Sequence, residues 1–201
     1  MINLESIASK IASNHTYITS SSPEMIINKY GDKEWYLNEL LHREDGPAVE
    51  NTNGNKSWWI NGELHRKDGP AIEYINDRKE WFINGKLHRE DGPAVEITNG
   101  SKSWFINGEL HREDGPAIEK SNGDKEWYLY GKRHRIDGPA VERKNSKEWY
   151  LNDQLHREDG PAIEKSNGDK FWYLNGKKIK YNPKTWDQKV KDCKIDNIMN
   201  A

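Results

Sequence analysis

The sequence predicts an all-β repeat array: stacked antiparallel β-hairpins forming an elongated twisted sheet, with short capping helices at both ends. Three observations predict it. Tryptophan recurs at positions 35, 58, 81, 104, 127, 149 and 172, in steps of 23 residues with one step of 22, and a fixed period of this size is the mark of a repeat architecture. Each of these Trp opens an aromatic or β-branched run closed by a turn signal, as in Trp81-Phe82-Ile83-Asn84-Gly85, the strongest short-range sign of a hairpin. Finally, 33% of the 201 residues are hydrophobic and 32% charged. That is a lean supply for a compact globule. Nine Trp and nine Tyr nevertheless fit a disordered chain poorly, so a thin body with a narrow aromatic core is expected.

The hairpin comes first in each unit. Around Asn84-Gly85, Ile83 opposes Lys86 and Phe82 opposes Leu87; counting outward, Trp81 opposes His88 and Glu80 opposes Arg89. Alternation puts Phe82, Leu87, Glu80 and Arg89 on one face, and Trp81, Ile83 and His88 on the other. Asp91-Gly92-Pro93 then breaks the returning strand, because proline cannot donate to a ladder. Ala94-Val95-Glu96 resumes extended structure, and Asn99-Gly100 turns the chain into the next Trp strand. The single 22-residue step has lost its residue at Asn145-Ser146, in a turn, which leaves the strands in register. About fourteen strands stacked at ~4.8 Å give a rod of roughly 65 Å. One hairpin is marginal in water, and stacked neighbours bury a shared core.

Arrays need distinct ends. Residues 1–32 read as an N-terminal cap: an amphipathic helix carrying Ile2, Leu4, Ile7, Ala8 and Ile11, then a decayed half-unit at Glu24-Met25-Ile26-Ile27. Residues 33–182 hold six full units and a partial seventh. Residues 183–201 read as a capping helix, with a capping-box pattern at Thr185-Trp186-Asp187-Gln188 and Trp186, Val190 and Cys193 at helical spacing to cover the last hairpin.

The net charge of −2 and pI near 6.4 leave no basic footprint for nucleic acid, and no stretch has the ~18 apolar residues of a membrane span. Met1–Ser13 lacks a signal peptide's basic start and apolar run. One cysteine, Cys193, allows no internal disulfide. The chain is therefore expected in the cytoplasm, or the host cytoplasm if it is viral.

The period, the Trp, the Asn-Gly-Lys turn and the glycine-proline bend, over residues 33–181, resemble MORN repeats, in a variant of the kind seen in bacteria, phages and large DNA viruses. His-Arg-Glu-Asp-Gly-Pro-Ala stands where that family has a glycine-rich return strand. The resemblance implies hairpins stacked into an elongated sheet and a scaffold or adaptor that binds proteins or lipids; some bacterial relatives are labelled antitoxin-like.

Six units carry His-Arg-x-Asp-Gly-Pro-Ala, beginning at His42, His65, His88, His111, His134 and His156. Catalysis uses one preorganised pocket rather than six equal copies, and no unit pairs its histidine with a Ser or Cys nucleophile, so the protein is read as a non-enzyme with no cofactor. Histidines in adjacent hairpins stand about 10 Å apart, too far to share a zinc ion at ~2.1 Å from each nitrogen, so no metal is expected. Two readings of the bend stay open. In the structural one, histidine packs on the indole, arginine pairs with Glu across the hairpin for ~0.2–1 kcal/mol, and Asp bonds backbone in the bend. In the functional one, Arg43, Arg66, Arg89, Arg112, Arg135 and Arg157, with His65, His88 and His111, form a stripe that reads a polar partner. Tyr130 and Ile136, where unit five departs from the pattern, are the candidates for a local apolar contact. The expected partner is a protein; the alternative is a small anionic ligand, such as a signalling nucleotide sequestered by a phage or viral antagonist of host defence.

Overall fold

The computed structural model describes residues 21–199; the helix expected around Ile2 to Ile11 lies outside them. The described residues hold 26 strands, most of them two residues long, and one α-helix, Trp186–Met199. A 16-stranded antiparallel sheet runs the length of the array, and five separate two-stranded hairpins stand beside it. In the third unit, Lys79–Glu80 and Val95–Glu96 belong to the long sheet, while Phe82–Ile83 and Lys86–Leu87 form the hairpin.

The hairpin register is the one that the turn demands. Phe82 pairs with Leu87 and Ile83 with Lys86. Asn84 and Gly85 have φ of 49° and 71°, the positive values of a type I′ turn. His88 donates its N–H to the Trp81 carbonyl at 3.0 Å, and there the ladder ends. The expected pairing of Glu80 with Arg89 does not form. Glu80 lies between Val95 and Ile72, and the Arg89 N–H donates to the Phe105 carbonyl of the next unit at 3.1 Å. Trp81 is where the chain changes partners: its N–H faces the Ala94 carbonyl at 2.8 Å while its own carbonyl faces His88. The Gly-Pro bend has carried the return chain round to the other edge of the strand, so each half of residues 79–83 has a different neighbour.

Units are joined along two columns. On the hairpin column, Gly85 donates to the Leu64 carbonyl at 2.9 Å and Arg66 to the Phe82 carbonyl at 3.1 Å. On the sheet column, Ile72–Glu73 turns through Tyr74 and Arg78 into Lys79–Glu80. The shortened unit keeps this register, with Val141 opposite Glu148 and Glu142 opposite Lys147. Its turn tightens to close on Arg143 and Ser146.

The core differs from the expected aromatic one. Ala48, Ala71, Ala94, Ala117, Ala140 and Ala162 are fully enclosed at 0% exposure, as is Val141, and the repeating Trp are half-buried. Only a methyl group fits where the bend closes against the sheet. Two-residue strands give a ribbon too narrow to enclose an indole on both faces.

At the N-terminal end, Glu24–Ile27 pairs with the first Trp strand, Ile26 opposite Glu34 and Ile27 opposite Lys33. Ile72 and Glu73 meet Glu80 and Lys79 in the same way. At the other end Trp186 is buried, and its indole N–H donates to the Glu158 carbonyl at 2.7 Å. Lys194 holds the Glu158 carboxylate at 2.8 Å, so the helix rests on the last bend. No helix among the described residues is long and apolar enough to cross a membrane.

Candidate functional site: a column of identical bends

The six His-Arg-x-Asp-Gly-Pro-Ala bends stack into a column, and each is built around its arginine. The guanidinium carbon lies 3.9–4.1 Å from the centre of an indole: Arg43 over Trp35, Arg66 over Trp58, Arg89 over Trp81, Arg112 over Trp104, Arg135 over Trp127 and Arg157 over Trp149. Arginine thus takes the place expected for histidine, because the chain peels away from the hairpin just after His88 and swings the next side chain back over the ring. A planar cation on an indole face is favourable by ~0.5–2 kcal/mol, depending on desolvation.

The same guanidinium braces the bend. Nε of Arg89 donates to Asp91 at 2.8 Å, and Nη1 donates to the Pro93 carbonyl at 3.2 Å and to Glu96 at 3.1 Å. The pattern recurs in all six units, except that Arg43 reaches Glu50 only at 3.5 Å. The glycine of the bend leaves room for this: a Cβ on Gly92 would lie 3.0 Å from Cζ of Arg89. The aspartate expected to bond backbone therefore pairs with the arginine, whose N–H holds the carboxyls of Asp45, Asp91, Asp114, Asp137 and Asp159 below the usual aspartate range.

Histidine faces the following unit. The backbone N–H of Asn84 donates to Nδ1 of His65 at 3.2 Å, and the Asn84 side-chain oxygen lies 2.8 Å from the same nitrogen. His88 and His111 take the N–H of Asn107 and Tyr130 in the same way. Arginine closes a unit on itself, and histidine fastens it to its neighbour's turn. Among the described residues, no three His, Cys, Asp or Glu side chains converge as a metal site requires.

What the bends present outward is different. The six arginine side chains are 20–23% exposed, and their aspartate partners 82–85%. The one residue that varies within the motif is also outward: Glu44, Lys67, Glu90, Glu113, Ile136 and Glu158. Glu158 is engaged by Lys194 of the helix at 2.8 Å, while Glu44, Glu90 and Glu113 lie 3.7–3.8 Å from Nε2 of the histidine two residues before. Between successive bends lie open clefts of about 570–830 Å³, floored by the edge of the next indole with Ile60, Ile83, Ile106 or Leu151.

Unit five departs from the pattern at Tyr130, at Arg133 in the place of a leucine, and at Ile136, and the first two are absorbed locally. Tyr130, 65% exposed, holds the left-handed turn position at φ 49° and lies on the His111 ring, centroids 4.3 Å apart. Arg133 donates to Asp153 at 2.6 Å and covers the Tyr150 ring at 4.2 Å. Burial and the Glu148 carboxylate push the Tyr150 phenol up to about 12. Ile136, 87% exposed, lines the cleft between its own bend and that of His156.

One network escaped the sequence reading. Glu34, Glu126 and Glu148 accept from the tyrosines two residues on, Tyr36, Tyr128 and Tyr150, and Ser57 accepts the Trp59 indole N–H at 2.7 Å. Two residues after Glu80 stands Phe82 instead of a tyrosine, and Arg78 supplies the glutamate's partner. The alternation of Glu with Tyr and Ser with Trp or Phe was the available signal.

The chain matches no protein-family model and no curated protein.

Proposed function

We propose that this is a non-enzymatic interaction scaffold of MORN-like kind, which binds a protein partner along the column of bends. One observation carries the reading. In every bend the six constant residues are spent on the fold, and the single variable residue is held outward at a fixed interval. A rigid frame with one free choice per unit is how a repeat surface acquires specificity without altering its stability. The arginines, first candidates for the reading groups, act here as the frame that positions the variable residue. An anionic nucleotide would meet the exposed row of aspartates before it reached any guanidinium, which disfavours the sequestering alternative.

The test is photo-crosslinking in cells with a reactive amino acid at Glu90 on a bend, at Lys86 on a hairpin tip and at Thr98 on a sheet turn. Discrete protein adducts are expected from position 90. Adducts from position 86 or 98 alone, or none from 90, would overturn the reading.

A further inference from the structure

We propose that the variable residue of each bend is a reading position, and that the partner segment is an extended polypeptide carrying the complementary series: cation, anion, cation, cation, apolar residue, set against Glu44, Lys67, Glu90, Glu113 and Ile136. The inference deepens the scaffold reading and rests on it.

The charge balance of a bend points to this residue. Each aspartate is answered by the arginine two residues before it, at 2.8–3.2 Å. The sheet glutamates, Glu50 through Glu142, sit on the same arginines and in register with lysines of the strands on either side. Among the described residues, no lysine or arginine pairs with Glu44, Glu90 or Glu113, and no carboxylate pairs with Lys67. Glu44, Glu90 and Glu113 are 79–86% exposed, and Nε2 of the histidine two residues before each stands 3.7–3.8 Å away. Along the first five bends the free charge therefore runs minus, plus, minus, minus, zero. A Lys or Arg entering a cleft beside Glu90 would lay its methylenes on the indole edge and Ile83 and bring its charge to the carboxylate. In the cleft beside Ile136 and Leu151 the variable residue itself is apolar, and an apolar side chain would meet Ile136 and Leu151 where the other clefts set a charge.

The spacing selects an extended chain. Each unit adds two strands to the long sheet, about 9.6 Å at ~4.8 Å per strand. Three residues of polyproline II cover about 9.3 Å and three of β-strand about 10 Å, and sheet twist lengthens the outer path to three or four residues. A helix rises only ~1.5 Å per residue and would need six or seven residues per step. Phosphate backbones and anionic lipid surfaces carry one sign of charge and cannot follow a series that changes sign.

The experiment uses the full chain and synthetic 15-residue Ser/Pro-spaced peptides with Lys, Glu, Lys, Lys, Leu in that order at every third residue. A second, longer set is spaced at every fourth residue, and both sets are made in both chain directions. Each is compared with a shuffled peptide of identical composition by calorimetry at low and high salt. The matched order is expected to bind about tenfold more tightly than the shuffled one in at least one spacing and direction, with the preference reduced at ~1 M salt. The paired exchange Lys67→Glu with Glu90→Lys leaves net charge and fold unchanged and is expected to transfer the preference to the peptide whose second and third reading residues are exchanged. Equal binding of matched and shuffled peptides, no binding of either, or a preference unmoved by the exchange overturns the proposal. If crosslinks at position 90 persist in that event, the scaffold reading stands and only the code is wrong; if they too are absent, both fall.

Discussion

An interior unit and the last one solve the same problem differently. Trp81 is covered by Arg89, whereas Trp172 is covered by Tyr181, stacked at 4.4 Å and 14°, with Trp186 edge-on to Tyr181 at 5.8 Å. The ring needs a flat lid in both places. Only the interior lid must also brace a bend that leads to another unit, and that second task calls for a fork of donors. Where no bend follows, Lys180 stands in the arginine's place in the sequence and an aromatic side chain does the covering. Stacking and bracing are therefore separable functions of the one arginine.

The comparison can be broken most severely at the ring. Trp81→Ala is expected to cost about 3 kcal/mol in urea denaturation, at the low end for a large ring because the indole is only half-buried. Trp172→Ala should instead loosen the helix Trp186–Met199 selectively, seen as faster amide exchange there with the interior units protected. Arg89→Leu keeps an apolar lid but removes the brace, leaving the Pro93 carbonyl and Glu96 without that donor; about 2 kcal/mol is expected. Lys180→Leu, by contrast, should leave the melting temperature unchanged. Gly92→Ala tests the brace from the other side by pushing on the guanidinium, with an expected loss of about 1 kcal/mol. The smallest effect is in pH. Arginine holds five bend aspartates below their ordinary value, so their stabilisation is complete above the unfolded value of about 3.9 and is lost as pH falls through the lower folded values. The melting temperature should drop below about pH 4, and less steeply when these five are changed to asparagine.

Much of this was legible beforehand, and the rest was hidden for a physical reason. The period, the type I′ turn and the pairs Phe82–Leu87 and Ile83–Lys86 follow from local rules that two adjacent residues can satisfy. The fate of Arg89 does not. Counting along an uninterrupted hairpin puts it opposite Glu80, and only a non-local fact, that Ala94–Glu96 competes for the first half of the Trp strand, removes it. The strict recurrence of glycine three residues after each arginine carried the information, since a Cβ there would collide with the guanidinium. At the bends, the sequence drew attention to the constant residues, and these engage one another, arginine with the indole and the aspartate, histidine with the next turn. Ile136 was picked out correctly as exposed, by its departure from the pattern.

The two-residue strands have a mechanical consequence. Antiparallel hydrogen bonds run perpendicular to their strands, so here they lie along the long axis of the array. Force applied at the two ends loads them one after another, as in a zipper, and not together as in a sheared sheet. Each unit touches only its neighbours, so it can open alone, releasing about 80 Å of chain from 23 residues that spanned about 10 Å when folded. Tethered at both ends, such an array would lengthen in near-equal steps at low tension.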